Sequence, residues 1–191
     1  MHVTPAGTVW LTWTEPTARG HALRFATRST GADAWTPAET IAEGPGWFIN
    51  WADFPALAAA DDGSATAVWF VNNPPTPNGA GDHGHGPGYH ARISRTTDAG
   101  RTWSAPEPLT RESNSVEFVS LTTLSDGRVL AAWLDGRGKH GSAGMQRLYA
   151  RIIGSSEPDT LVDSSVCDCC QTTLTAFPDG SALVAYRGRT K

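Results

Sequence analysis

The chain has 191 residues and a formal charge of −4, with its arginines and lysines scattered rather than clustered. That balance argues against nucleic acid as a partner, since a phosphate-binding surface gathers basic side chains. No apolar run is long enough to span a membrane, and no charged-then-apolar leader stands among these residues. Twenty Gly, thirteen Pro and eight Trp against two Met suit tight turns and aromatic packing between sheets, and exclude a helical architecture.

A small-residue turn leading into a short apolar run that closes on a large aromatic occurs four times: AGTVWLTW at 6–13, DGSATAVW at 62–69, DGRVLAAW at 126–133 and DGSALVAY at 179–186. The closing residues, Trp13, Trp69, Trp133 and Tyr186, recur at intervals of roughly 53 to 64 residues. A repeat of that order, made of short strands and turns, predicts a β-propeller whose blades are four-stranded sheets. Alternation of apolar and polar residues then places the strands. The first blade, about 1–44, is expected to hold strands at 8–14, 23–27 and near 38–41, with the strand before AGTVWLTW missing. The second, 45–112, has strands at 50–59, 65–71, 90–96 and 106–110, and one long insertion rich in Pro, Gly and His at 72–88. The third, 113–165, has strands at 117–124, 128–134 and 146–153 and a short one at 160–162. Strands at 169–177 and 181–187 open a fourth piece, 166–191. The expected fold is all-β: an incomplete propeller of about three to four blades, whose missing blades belong to a longer protein.

Between the last two strands of the second blade, Thr96-Thr97-Asp98-Ala99-Gly100-Arg101-Thr102-Trp103 matches Ser/Thr-x-Asp-x-Gly-x-Thr-Trp, the Asp box, at each specified position. The physics is that of a hairpin turn opened by Thr96: Asp98 accepts backbone N–H bonds across it, Gly100 takes positive φ, and Trp103 wedges between sheets. A blurred copy runs from Ser29 to Trp35. Asp boxes on propeller-like repeats are typical of sialidases, and the chain resembles the sialidase-like superfamily over nearly its whole length. Residues 46–55 (GWFINWADFP), 133–137 (WLDGR) and 166–172 (VCDCCQT) resemble a bacterial exo-α-sialidase-like subgroup. The resemblance implies a six-bladed propeller when complete, release of terminal sialic acid from glycoconjugates, no required cofactor, and a periplasmic or extracellular parent protein.

In a propeller, the starts of first strands and the ends of second strands meet at one mouth of the central channel, where polar residues converge into a funnel. Those positions hold Asn50, Asp53, Asn72 and Asn73; Glu117, Asp135 and Arg137; and Cys167, Asp168, Cys169, Cys170, Gln171, Arg187 and Arg189. Asp53 is the foremost candidate, because a carboxylate in the apolar stretch NWADFPALAAA is costly unless it serves a purpose. A sialidase binds its substrate carboxylate through arginines, protonates the leaving group with an aspartic acid and uses a tyrosine activated by a glutamate. The resemblance therefore nominates Asp53 as acid, Glu117 as base, and Arg137, Arg187, Arg189, Asp135 and Gln171 for substrate binding. It supplies no nucleophile. Tyr186 shares a repeat position with three tryptophans and is expected in the core, Tyr149 lies in a third strand, and Arg92-Ile93-Ser94 lacks the proline of the family's Arg-Ile-Pro signature.

The three cysteines all fall within Cys167-Asp168-Cys169-Cys170. Three soft ligands this close could bind copper or zinc, with His140 or His83 and His85 completing the shell. A disulfide such as Cys167–Cys170 and plain thiols are the other readings. A non-catalytic carbohydrate- or metal-binding propeller therefore stands as the alternative function.

Overall fold

The computed structural model describes residues 1–74, 88–113, 115–137 and 146–189. Most of the 72–88 insertion, with His83 and His85, and also His140, lies outside the described residues. Three four-stranded antiparallel sheets and one two-stranded sheet follow one another along the chain. The first contains β1 (His2–Val3), β2 (Val9–Thr17), β3 (Gly20–Arg28) and β4 (Glu39–Gly44). The second contains β5 (Ala56–Ala59), β6 (Ala65–Asn72), β7 (Tyr89–Thr96) and β8 (Glu107–Pro108). The third contains β9 (Val116–Thr123), β10 (Val129–Asp135), β11 (Gln146–Ile152) and β12 (Thr160–Val166), and β13 (Thr173–Ala176) pairs with β14 (Ala182–Ala185). Each sheet is a meander in sequence order, and the inner strands β1, β5, β9 and β13 lie side by side. This is the radial arrangement of a β-propeller, of which the chain forms part.

The repeated apolar run becomes the second strand of each sheet, and its period of two explains how the sheets stack. In β6, Ala65, Ala67 and Trp69 pack against Trp10, Leu23, Phe25 and Ile41 of the preceding sheet. The alternate residues Val68 and Phe70 pack against Val116, Val119, Ala131 and Trp133 of the following one. In β10, Ala132 and Leu134 turn to the other side and join Phe118, Leu148 and Val166. A strand buried on both faces needs a neighbour on each, so no blade is self-sufficient. Stacked rings brace individual sheets: Trp10 on Phe25 at 5.3 Å between centroids in the first, and Trp47, which bridges Val71, on Trp69 at 5.6 Å in the second.

Several expectations need correction. The strand before the first repeat is present as β1, whose His2 and Val3 pair with Trp10 and Val9; two residues are too few to show an alternation. The strand expected at 50–59 is only Ala56–Ala59, because Asn50 Oδ1 accepts from the N–H groups of Ala52 and Asp53 and curls that stretch into a turn ahead of Pro55. The strand expected from Cys169 begins instead at Thr173, and β12 extends well past residue 162. In the first sheet Trp10, not Trp13, is the buried aromatic, and Tyr186 is 37% exposed rather than core, its hydroxyl donating to Asp163 Oδ2 at 2.9 Å.

Burial predicts where truncation hurts. Trp69→Ala empties a site shared by two sheets and is expected to destabilise the protein by about 3–5 kcal/mol. Trp35→Ala, at an exposed ring that only receives Arg28, is expected to stay within about 1 kcal/mol. Urea unfolding of the two variants beside the wild type checks this.

Candidate active site

The inner strands of all four sheets surround an open cavity of about 1290 Å³. Its lining includes Thr12 and Thr14 from β2, Asp53 and Phe54 from the turn before β5, Ser120 and Thr122 from β9, and Gln171 to Thr173 leading into β13. Among the described lining residues the ionisable side chains are His2 and the carboxylates of Asp53, Asp61 and Asp62, and there is no Arg or Lys.

Asp53 is 3% exposed and clamped. The Asn50 turn fixes its backbone, and its carboxylate accepts from the Tyr89 hydroxyl at the start of β7 and from the Phe118 N–H at 2.6 Å. Phe118 has φ of 51°, a left-handed conformation that is unusual for a large side chain, at a bulge where β9 loses register against β10. Burial raises the pKa of Asp53, against the opposing pull of the hydrogen bonds from Tyr89, Phe118 and Asn50. The Tyr89 hydroxyl is also raised, first by burial and then by the negative charges of Glu117 and Asp53. Asp53, Tyr89 and Glu117 thus form one electrostatic group. The ring of Tyr89 is fixed by stacking on Phe48 at 3.7 Å and by an edge contact with Phe70.

Tyr89 is the residue that sequence reasoning missed. It directly follows the long insertion, and its partner across the ladder is Asn72, already placed at the channel mouth. That pairing was the available signal. Asn72 itself pins a loop by donating to Trp47 O at 3.1 Å, and Asn73 Oδ1 is 2.7 Å from His90 Nδ1. On the other side of the clamp, Gln171 Nε2 donates to Ala52 O at 2.6 Å and Thr172 Oγ1 to Phe118 O at 2.9 Å, so the chain entering β13 rests on the Asp53 turn.

Arg137 and Asp135 do not meet the cavity, which corrects their expected role in substrate binding. Asp135 is fully buried and accepts from Trp133 Nε1 at 2.8 Å and from the Arg137 backbone N–H at 2.7 Å. The Arg137 guanidinium donates to Asp135 and Asp159, both at 2.6 Å, and to Glu112 at 2.8 Å, and its plane covers Tyr149 at 4.0 Å. Three carboxylates engage both of its Nη atoms, and its Nε is buried without a hydrogen-bond partner among the described residues, so the guanidinium is committed to this internal cluster. Arg189 is likewise engaged, at 2.9 Å from Asp168, while Arg187 Nη1 lies 3.8 Å from Cys170 Sγ. Cys167 Sγ is 3.2 Å from Cys169 Sγ, which is 3.9 Å from Cys170 Sγ. The Cys169 amide, foremost, holds the Cys167 thiol below its usual range, and the Cys167 thiol pushes Cys169 up to about 11.

The loop from Thr96 to Trp103 sits away from the cavity and closes the β7–β8 hairpin. Asp98 accepts from Thr102 N–H at 2.9 Å, Thr102 Oγ1 at 2.6 Å and Thr96 Oγ1 at 2.7 Å. Gly100 has φ of 86°, and a Cβ there would stand 2.3 Å from Phe25. Trp103 meets the same Phe25 edge-on at 5.8 Å.

No protein-family model matches the chain, and no curated protein matches it in sequence. Solved structures do share its fold. An intramolecular trans-sialidase from Ruminococcus gnavus matches 95% of this chain at 18% identity with a TM-score of 0.54. The NanB sialidase of Streptococcus pneumoniae matches 95% at 15% identity and 0.54, and a GH93 α-L-arabinofuranosidase of Fusarium graminearum matches 94% at 11% identity and 0.53. The chain spans 36%, 26% and 54% of those structures, respectively. At these identities the likeness defines the class of fold alone, a β-propeller.

Two predictions separate scaffold from site. Arg137→Ala leaves the fully buried Asp135 without its cation, while Asp159 keeps Arg151 at 3.1 Å, and is expected to cost about 3–5 kcal/mol, with ligand binding at the cavity by the folded fraction unchanged. Thermal unfolding with a binding assay on the same samples measures both. Asp98 has its folded pKa lowered from 3.8 to about 2, chiefly by the hydroxyl and amide of Thr102. Its contribution to stability is therefore complete above pH 3.8 and disappears as pH falls toward about 2. Asp98→Ala is expected to flatten that part of the stability-against-pH curve; an unchanged slope would refute the assignment.

Proposed function

We propose that the chain carries the acid-bearing part of a glycoside hydrolase that acts on a terminal sugar at the mouth of the central cavity. The observation that carries the proposal is Asp53, a cavity-lining carboxyl with its pKa raised by burial and gripped by a tyrosine hydroxyl. A carboxyl so raised retains a proton for the glycosidic oxygen at a pH where an ordinary aspartate has lost it. Phe54 is 56% exposed at the cavity and Trp51 is 93% exposed on the same turn, offering apolar faces against which a sugar ring stacks. The described lining, with three carboxylates and no Arg or Lys, favours a neutral sugar.

Exo-α-sialidase activity is the second form of this reading, and one observation favours it. Tyr89, Glu117 and Asp53 form one electrostatic group, supplying the residue types of a tyrosine nucleophile, its base and an acid. In that scheme the Tyr89 hydroxyl turns from Asp53 to Glu117, which takes its proton as the phenol attacks while Asp53 protonates the leaving group, and the cationic cradle for the sugar carboxylate comes from outside the described lining.

The test is hydrolysis of an α-L-arabinofuranoside and of an α-linked sialoside by wild type, Asp53→Asn and Glu117→Gln. Asp53→Asn retains an acceptor for Phe118 N–H and removes the transferable proton. It is expected to lower kcat by about 10²–10⁴-fold with the unfolding midpoint little changed. Turnover of the arabinofuranoside alone supports the neutral-sugar form, and turnover of the sialoside with loss in Glu117→Gln supports the other. A folded Asp53→Asn protein with undiminished turnover would sink both.

A further inference from the structure

The turn from β12 to β13 holds the chain's three cysteines, and the glycosidase chemistry above uses none of them. Its entry is rigid. Cys167 N–H donates to Arg187 O at 2.8 Å, Val166 bridges Gly188, and Arg189 N–H donates to Ser165 O at 3.1 Å. On this platform Cys167 is buried at 7% exposure, and the turn folds Cys169 and Cys170 back so that the three Sγ atoms lie within 4.8 Å of one another.

A metal–thiolate bond of about 2.3 Å sets sulfurs roughly 3.8 Å apart around a tetrahedral ion and about 4 Å apart around a trigonal one. The observed 3.2 and 3.9 Å need only side-chain adjustment to reach that spacing. The carboxylate of Asp168 lies between the thiols in sequence but turns to Arg189 at 2.9 Å, and among the described residues no His or carboxylate joins the cluster. Structural zinc takes four ligands, whereas three sulfur donors with no borderline fourth among the described residues suit a softer ion. Three thiolates on a monovalent cation leave two negative charges, and the Arg187 guanidinium, 3.8 Å from Cys170 Sγ, offsets part of them.

We infer that Cys167, Cys169 and Cys170 form a three-thiolate site for monovalent copper, with Arg187 as its outer counter-charge. In sequence the site directly precedes Gln171, which lines the cavity and holds the Asp53 turn; the cysteines themselves are not among the cavity-lining residues.

The test titrates the reduced, metal-free protein with Cu(I) under inert gas against a chromogenic Cu(I) chelator, then challenges the loaded protein with equimolar Zn(II). A single Cu(I) per chain is expected to leave the chelator and to resist zinc. Cys169→Ser replaces an exposed thiol and is expected to weaken binding by about 100-fold or more without moving the unfolding midpoint of the metal-free protein; Arg187→Gln is expected to weaken it by about 10-fold. No uptake by the reduced protein, uptake undiminished in Cys169→Ser, or displacement by zinc would overturn the inference.

Discussion

The carboxylate of Asp53 holds the candidate site together. One oxygen takes the N–H of Phe118 from the bulge in β9, and the other takes the hydroxyl of Tyr89 from the start of β7. A turn before β5 is thereby tied to an inner strand of the next sheet and to a third strand of its own. The positive φ of Phe118 is held because its amide donates to the buried Asp53 carboxyl, a bond set against backbone strain of about one to three kcal/mol. The same bonds give the carboxyl its character. Desolvation raises its pKa while the donors from Tyr89, Phe118 and Asn50 oppose that rise.

The surrounding packing determines why such a clamp sits beside open space. β6 and β10 are buried on both faces, so each sheet must stand between two others, and the inner strands are brought together around the axis. Small residues at Ala58, Ala59 and Ala65 permit that approach. Charges are sorted by the same geometry. Arg137 pairs with the buried carboxylates of Asp135 and Asp159, while the described cavity wall retains only acids and a single histidine among its ionisable side chains. A binding surface assembled from scattered charges thus differs from what any one of those charges suggests alone.

Much of the fold was legible in the chain. The four aromatic-closed runs, the turns DG at 62–63, 126–127 and 179–180, and the alternation along β6, β10 and β11 are local consequences of side-chain size and backbone geometry. Period-two patterning and glycine's positive φ act over a few residues, and so they survive in sequence. Asp53 was legible for a related reason: a carboxylate among apolar neighbours signals a compensated burial. β1 and the turn at Asn50 were not, because the first is shorter than the pattern that reveals a strand and the second is made by a side chain capping its own backbone.

What the sequence by itself determined was the blade: strand, turn, strand, and the hydrogen-bonded hairpin around Asp98, each specified by contacts between residues close in the chain. Only the tertiary structure decided which polar groups share a site. Tyr89 reaches Asp53 across 36 residues and Phe118 reaches it across 65. Arg137 is removed from the cavity by Asp159, and the three thiols converge because Arg187 and Gly188 return to pair with the segment before them. Those outcomes depend on how neighbouring sheets bury one another, a collective constraint that no local stretch of residues encodes.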